Sequence, residues 1–323
     1  MVAAMTNETS VHVAAVQAAP VFLDRAATVA KSAELVHEAA AGGAQLVAFP
    51  ETFVAGYPIW ADFTSASTFD DPTQKAAFAQ YLDAAVVIDR GGSVGDLDPV
   101  VQASADTGAF VYLGVAERSL SGGSIYCSLV AIDPVDGIVG VHRKLKPTYG
   151  ERLMWADGDG HGLRAHPFAN TTVSGLNCWE NWMPLARAAM YAQGPEIHVA
   201  TWPGSPGVSH DISRFVAMEG RLFVVSSGAV LREEHLPADF ALRDEMVVAR
   251  SRYNSGGSII VGPDGTVLAE AAPHDECIIH ATCDLSLVRE ARQNFDPTGH
   301  YSRPDVLRLS VDRSRRDPVA FDD

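Results

Sequence analysis

Short apolar runs alternate with amphipathic segments from the start of the chain. The run at 11–18 (VHVAAVQA) predicts a β-strand. The segment 24–41 has small and apolar residues at helical spacing and is followed by Gly42-Gly43, which predicts a helix that ends there. The run at 45–49 (QLVAF) predicts a second strand. This order of strand, helix and strand indicates an α/β fold.

The same alternation continues along the rest of the chain. It predicts helices over 71–87, 183–193 and 209–220, the last of which begins at Ser209 or Asp211. It predicts strands over 109–116, 172–176, 196–201, 222–226, 257–261 and 266–269, and a hairpin of 125–133 with 138–143. Neither a repeat nor a composition shift divides the chain. We therefore expect one domain over 11–311, with helices outside stacked sheets, between flexible ends at 1–10 and 312–323.

Composition excludes several classes of function. The 323 residues are 47% hydrophobic and carry a net charge of −16, which argues against nucleic-acid or anionic-membrane partners. No apolar run reaches the roughly 18 residues of a membrane span, and the N-terminus does not resemble a secretory signal. The four cysteines include no CxxC pair. They favour a reduced, cytoplasmic setting with free thiols.

Three segments carry reactive side chains directly after strand-like runs. They are FPETF with Glu51, HRKLKPT with Lys144 and NCWEN with Cys178. A carboxylate can move protons, an ammonium group can stabilise an anion, and a thiol can attack an electrophilic carbon. Together they supply what attack on an unactivated carbon–nitrogen bond needs.

Cys178 differs from the other three cysteines in its position. A lone cysteine is most often a small buried hydrophobe, and Cys127, Cys277 and Cys283 lie inside strand-like runs where that interpretation is preferred. Cys178 instead follows a glycine-containing strand (VSGLN) and precedes a predicted helix. The N–H groups at such a helix start would lower the thiol pKa and bind an oxyanion.

The charged candidates leave alternatives open. Glu51 lies between apolar flanks (LVAFPETFVAGY), where desolvation would raise its pKa as a general acid/base requires, but it could also cap a helix. Lys144 and Lys146 are both candidate cations, and Glu151 is either a surface acid or a group that holds the lysine or assists water. The GDGHG run at 158–162 lacks the context of a dinucleotide or calcium loop. No metal or nucleotide cofactor is expected.

Several segments resemble the nitrilase branch of the carbon–nitrogen hydrolase superfamily. They are FPETFVAGYPIW, HRKLKPTYGERLMWADGDG, CWENWMPLARAAMYAQG, DISR with MEGR at 211–221, and GHYSRPD at 299–305. The spacing of 34 residues from Lys144 to Cys178 is also similar. The similarity covers about 11–309, nearly the whole chain.

The resemblance implies a fold, an assembly and a set of site residues. The fold is an α-β-β-α sandwich that forms four layers when it pairs with a second copy. The assembly is a homodimer or a larger, spiral homo-oligomer, with the helix after Cys178 as a candidate interface. The implied catalytic residues are Glu51, Lys144 (rather than Lys146), Cys178 and, as a fourth member, Glu151.

The resemblance also implies a reaction. A nitrilase hydrolyses an organic nitrile to the carboxylic acid and ammonia through a covalent cysteine thioimidate and thioester. The alternatives are an aliphatic amidase, a carbamoylase or a cyanide dihydratase with the same residues, or a silent scaffold that binds a partner. Thr52 departs from the small residue that often follows FPE, which bears on substrate preference. An apolar substrate group needs apolar walls, and the candidates, each of which could instead be core, are Tyr57, Trp60, Trp179, Trp182 and Trp202.

Overall fold

The strands of the computed structural model, which describes residues 9–88, 95–120, 122–248 and 254–316, form two sheets. The first sheet contains β1 (Ser10–Gln17), β2 (Leu46–Ala48), β3 (Val86–Val87), β4 (Phe110–Arg118), β5 (Ile125–Asp133), β6 (Gly137–Arg143) and β13 (Cys277–Asp284). The second sheet contains β7 (His166–Phe168), β8 (Thr171–Asn177), β9 (Ile197–Trp202), β10 (Phe223–Gly228), β11 (Ile259–Val261) and β12 (Val267–Glu270).

The described helices lie between these strands in sequence, except for the last helix, which follows β13. They are α1 (Arg25–Ala41), α2 (Trp60–Phe63), α3 (Pro72–Ala84), α4 (Asp98–Thr107), α5 (Pro184–Tyr191), α6 (Pro206–Gly220), α7 (Arg243–Val248) and α8 (Ser286–Arg292). Short 3-10 turns occur at Tyr149–Leu153, Gly160–Gly162, Cys178–Trp182 and Glu233–His235. Within the described ranges, no helix has the length and apolar character needed to cross a bilayer.

Both sheets are mixed. The first has the order β13-β1-β2-β4-β5-β6, with β3 also paired to β4. Within it β1, β2 and β4 are parallel, whereas β13, β5 and β6 pair antiparallel with their neighbours. The second has the order β12-β11-β10-β9-β8-β7, with β8, β9 and β10 parallel. Parallel neighbours need crossover connections, which α1, α5 and α6 provide.

Apolar side chains fill three layers. Between the sheets, alternate positions of β1, β4, β9 and β10 point inward and are buried. The outer face of the first sheet packs on α1 and α4, and that of the second packs on α6. The predicted α-β-β-α sandwich is therefore confirmed, because each sheet buries one face on the other sheet and one on helices.

Helix α1 begins after a capping residue, whereas α6 begins at a proline. The side chain of Asp24 accepts a hydrogen bond from the Ala27 N–H at 2.9 Å, and α1 begins directly after it. The predicted start of the later helix at Ser209 or Asp211 was wrong, since α6 begins at Pro206. Proline suits the first turn because its missing N–H would have no partner there. Helices α2, α4, α7 and α8 had no predicted counterpart.

Only part of the two chain ends that were predicted to be flexible lies among the described residues. Residues 1–8 and 317–323 lie outside the described residues, and β1 already begins at Ser10. Arg315 forms a 3.2 Å ion pair with the buried Asp159, and the Arg316 N–H donates to the same carboxylate at 3.0 Å. These two contacts connect Arg315 and Arg316 to the domain, and the flexibility of the chain ends stays a prediction.

Candidate active site

Glu51, Lys144 and Cys178 lie just beyond the ends of β2, β6 and β8. The segment that carries Glu51 crosses β4 so closely that a Cβ on Gly114 would lie 2.1 Å from the Pro50 carbonyl oxygen. Only glycine permits this approach. The close crossing sets the depth at which Glu51 enters the site.

An ammonium group lies at the centre of the site. Lys144 Nζ donates to Glu51 Oε1 at 2.8 Å and to Glu151 Oε2 at 2.7 Å, and all three side chains are buried. A thiol completes the group, since the Cys178 sulfur and one oxygen from each glutamate lie within 4.8 Å of one another. The family resemblance implied these four residues as one set, and the structure brings them together.

Three of these side chains are potential metal ligands. In the described parts of the chain, the Glu51, Glu151 and Cys178 atoms are the group of His, Cys, Asp or Glu atoms close enough to hold an ion. The Lys144 ammonium already donates to both carboxylates. A metal ion beside it would meet like charge at short range, so the donor set does not fit a metal site.

Glu51 has the surroundings of a proton acceptor. Burial raises its pKa to about 7, against the lowering effect of Lys144. Its Oε1 accepts both the Lys144 bond and a 3.3 Å bond from the Cys127 thiol. Its Oε2 is buried and has no hydrogen-bond partner among the described residues. A carboxyl group that titrates near neutral pH is suited to proton transfer.

The backbone at Cys178 is in the left-handed region, with φ of 45°. A non-glycine residue there is strained and must be held by its surroundings. The Asn181 amide donates to the Cys178 carbonyl oxygen at 3.0 Å, and Asn181 Oδ1 lies 2.9 Å from His198 Nε2. Burial lowers the pKa of His198 to about 3, so this imidazole is neutral. Buried polar partners thus hold the strained turn.

The thiol of Cys178 is protonated at rest. Burial and then the Glu51 charge raise its pKa well above the ordinary value, although a hydrogen bond from the Trp179 N–H lowers it. For Lys144, burial alone lowers the pKa, but the charges of Glu51 and Glu151 raise it well above its ordinary value. The site therefore holds an ammonium group, and the thiol becomes a nucleophile only when a base takes its proton.

Glu151 belongs to a capping box that starts the turn after Lys144. The Thr148 N–H donates to Glu151 Oε2 at 2.6 Å. The Tyr57 hydroxyl donates to Glu151 Oε1 at 3.0 Å. Burial and then the Glu151 charge raise the pKa of Tyr57 well above its ordinary value, so Tyr57 remains a donor. Glu151 is thus fixed at both oxygens.

Glu180 belongs to a second capping box, at the turn that contains Cys178. The Asn177 N–H donates to its Oε2 at 2.9 Å, and the Leu145 N–H donates to its Oε1 at 2.7 Å. His142 Nε2 lies 3.0 Å from the same Oε1. Burial alone would raise the pKa of Glu180, but His142 and these N–H groups hold it below its usual range. One carboxylate therefore joins the Cys178 turn to the segment that carries Lys144.

A cavity of about 270 Å³ opens onto Cys178. Tyr57, Trp179 and Trp202 line it, as predicted from the sequence, and Val208 adds apolar surface. Its polar lining includes the carboxyl group of Asp62. The cavity therefore joins an apolar wall to the reactive thiol.

The family model for carbon–nitrogen hydrolases matches residues 12–293 of the chain. An aliphatic nitrilase of Sinorhizobium fredii is 38% identical over 96% of this chain and 98% of its own length. A nitrilase of Bradyrhizobium diazoefficiens is 37% identical over 93% of this chain and 91% of its own. The chain belongs to the carbon–nitrogen hydrolase family, in its nitrilase branch.

Solved structures share the fold of this carbon–nitrogen hydrolase. Nit3 of Saccharomyces cerevisiae, a member of branch 10 of the nitrilase superfamily, has a TM-score of 0.68 and 17% identity over 90% of this chain and 96% of its own. An amidase of Nesterenkonia from the same superfamily has a TM-score of 0.61 and 16% identity over 88% of this chain and 95% of its own.

Two predicted wall residues of this carbon–nitrogen hydrolase lie elsewhere. Trp60 is fully buried, and its ring packs edge-on against Tyr81 and Phe240, because the chain turns into α2 at this point. Trp182 stacks on Trp179 with ring centres 5.7 Å apart but does not line the cavity. The structure thus gives Trp60 a core position, which was the alternative for each aromatic residue.

The two candidate lysines lie in different surroundings. Lys146 Nζ pairs with Asp157 at 2.8 Å, and both side chains are more than half exposed. Lys144 is the buried cation. The residues alone had left this choice open.

Sequence reasoning missed several residues around the site. Cys127 was assigned to the core and is indeed buried, but its thiol bonds to Glu51. Trp155 was not singled out, although its ring centre lies 5.4 Å from Lys144 Nζ. Glu180 had a signal, since an Asn three residues before a Glu is a capping-box pattern. For Cys127 and Trp155 no local pattern exists, because their contacts are long-range.

Proposed function

We propose that this carbon–nitrogen hydrolase is a nitrilase that converts an organic nitrile and water to the carboxylic acid and ammonia. The observation that carries the proposal is the buried set of Glu51, Lys144, Glu151 and Cys178, of which the last two line the cavity. The curated relatives at 37–38% identity, which are named nitrilases, support the nitrile as substrate.

The first step forms a covalent thioimidate. Glu51 takes the Cys178 proton while the sulfur attacks the nitrile carbon, and the developing negative charge on nitrogen is stabilised by the Lys144 ammonium. The Trp179 N–H also faces the sulfur. A proton then passes from Glu51 to the nitrogen, which leaves a neutral thioimidate and a carboxylate ready for the next step.

The remaining steps consume two waters. Glu51 takes a proton from the first water while the water oxygen adds to the thioimidate carbon. The nitrogen then leaves as ammonia after protonation. The resulting thioester is hydrolysed by the second water, which restores the thiol. Glu151, which binds Lys144, holds the ammonium group in place during both additions.

Release of an amide is the second outcome that the geometry permits. If the tetrahedral intermediate expels the sulfur of Cys178 before the nitrogen, the product is the amide. A relative from Lupinus angustifolius, 36% identical over 98% of this chain and 90% of its own length, is named a bifunctional nitrilase/nitrile hydratase. This relative supports the amide as a side product here.

Ammonia release from matched nitriles, amides and free cyanide tests the function. We expect release from nitriles, and replacement of Cys178 by alanine should reduce it about a thousandfold or more. Cys277→Ala is the matched control, because this half-exposed thiol lies on β13, outside the cavity lining. Release from amides alone would make the protein an amidase, release from cyanide alone a cyanide dihydratase, and no release would favour a silent scaffold.

We also propose that the protein is a homodimer or larger homo-oligomer. Leu185 on α5 is 67% exposed, and Phe215 and Met218 on α6 are also exposed, so these neighbouring helices present apolar surface. Light scattering should give at least twice the chain mass, and Leu185→Glu should reduce it. An unchanged mass in the variant would place the contact elsewhere.

A cytoplasmic location completes the proposal. All four cysteines are free, which suits a reducing compartment. Fractionation of the producing cells tests this location, and recovery with extracellular proteins would contradict it.

A further inference from the structure

We propose that Cys127 is a positioning residue for Glu51. Its thiol donates a hydrogen bond to Glu51 Oε1, which leaves Oε2 as the oxygen that exchanges protons with Cys178. This inference rests on the proposed reaction. Cys127 lies on β5, and its Sγ is 3.3 Å from Glu51 Oε1 in a buried contact. The thiol is the donor, because a carboxylate offers only acceptors.

The two carboxylate oxygens of Glu51 differ in their hydrogen-bond partners. Each carboxylate oxygen has about two acceptor sites. Oε1 accepts from Lys144 Nζ at 2.8 Å and from the Cys127 thiol, so its sites are filled. Oε2 is buried without a partner in the described residues. A buried acceptor without a bond is costly, and an oxygen in this state is the one available to a proton.

The Cys127 thiol is protonated. Burial and then the Glu51 charge raise the pKa of this thiol well above its ordinary value. Cys127 therefore stays protonated and remains a donor over the working pH range. It is not a second nucleophile, because it is 1% exposed and does not line the cavity at Cys178.

The hydrogen bond from Cys127 affects both the pKa and the orientation of the Glu51 carboxyl group. A hydrogen bond to the ionised form of an acid favours that form, and the Cys127 bond lowers the pKa of Glu51. It also prevents rotation of the carboxyl group, which would exchange the two oxygens. Without the thiol, Glu51 would hold its proton to higher pH and present a less fixed oxygen to Cys178.

The pH dependence of kcat/KM in three variants tests the inference. Loss of the donor in Cys127→Ala should move the acidic limb to higher pH by about half a unit and lower kcat severalfold. KM should not change, since Cys127 does not line the cavity. Cys127→Ser retains a donor and should restore much of the wild-type profile. Cys277→Ala is the matched control and should match the wild type.

The outcomes separate this inference from the proposed function. A wild type that releases no ammonia from any nitrile contradicts the function itself. An active wild type with an unshifted profile in Cys127→Ala overturns the positioning role. Equal rate losses in the Ala and Ser variants without a shift of the limb would also overturn it, because they would indicate a packing effect. Circular dichroism confirms that each variant is folded.

Discussion

The turns that begin at Thr148 and Asn177 use the same local device for different purposes. Each is a 3-10 turn that opens with a capping box, in which a glutamate three residues on accepts from the backbone N–H of the first residue. These N–H to carboxylate distances are 2.6 Å for Glu151 and 2.9 Å for Glu180. Both carboxylates are buried.

The two glutamates differ in their remaining partners. Glu151 accepts from the Lys144 ammonium and from the Tyr57 hydroxyl, both of which belong to the site. Glu180 binds His142 and the Leu145 N–H, which belong to the segment beside the site. A capping box fixes a carboxylate beside its own turn. Whether that carboxylate contributes to the candidate site or to stability depends on which other side chains bind it.

The largest expected effect is on turnover in the first box. Glu151→Gln keeps an oxygen for the Thr148 N–H but removes the charge that faces Lys144. We expect kcat/KM for a nitrile to fall about a thousandfold. Stability should change little, because Lys144 keeps its bond to Glu51. Steady-state kinetics measure turnover, and urea denaturation measures the free energy of unfolding. A variant that is strongly destabilised but keeps the wild-type kcat/KM would contradict this prediction.

The next effect is on stability in the second box. The Asn177 and Leu145 N–H groups would lose a charged, buried acceptor, so Glu180→Gln should cost about 2 kcal/mol of unfolding free energy. Its carboxyl pKa lies below the ordinary 4.5, so its stabilisation is present at neutral pH and is lost as the pH falls through the folded-state value. Urea denaturation at neutral and acidic pH tests this. A cost that does not shrink in acid would contradict the assignment.

A smaller effect separates the boxes by titration. Glu51 titrates at about 7, so kcat/KM should fall about tenfold per pH unit below that value, where the base is protonated. The charge of Glu151 raises the pKa of Glu51. The residual activity of Glu151→Gln should therefore keep its acidic limb at lower pH than the wild type. Glu180→Gln should not shift the acidic limb of kcat/KM. A shift in this variant would show that Glu180 also affects the pKa of Glu51.

The smallest effect concerns Asp62, which adjoins only the first box. Its Oδ1 approaches Gly150 so closely that a Cβ there would lie 2.3 Å from it. Asp62 lines the cavity and is exposed to solvent. An exposed charge is screened, so Asp62→Asn should lower the preference for an ammonium-bearing nitrile over a neutral one about threefold. γ-Aminobutyronitrile and pentanenitrile are the matched substrates.

Asp70→Asn is the control for this last comparison. Asp70 pairs with Lys75 at the exposed surface, outside the cavity lining, and asparagine tolerates its φ of 61°. It changes the net charge equally. The ratio of the two kcat/KM values should not move in this variant. An equal change in both variants would assign the effect to overall charge and not to the cavity.

The sequence alone predicted much of the alternation of strands and helices and the candidate catalytic set. Periodicity predicted β1, α1 and β2 because the apolar spacing of a strand or helix is a local property. Position after strand-like runs selected Glu51 and Cys178, and the family resemblance selected Lys144 and Glu151. The sandwich followed from the same resemblance and from the predicted strands and helices.

Tertiary structure decided everything that depends on which distant groups meet. It brought the Cys127 thiol to Glu51 and the Trp155 ring to Lys144, across separations that no local pattern encodes. It placed Trp60 in the core and connected Arg315 and Arg316 to the domain. Apolar spacing reports how one element is buried, whereas the partner of a buried polar atom depends on how several elements pack. The chain therefore carries its chemistry in short motifs and the assignment of roles in its long-range contacts.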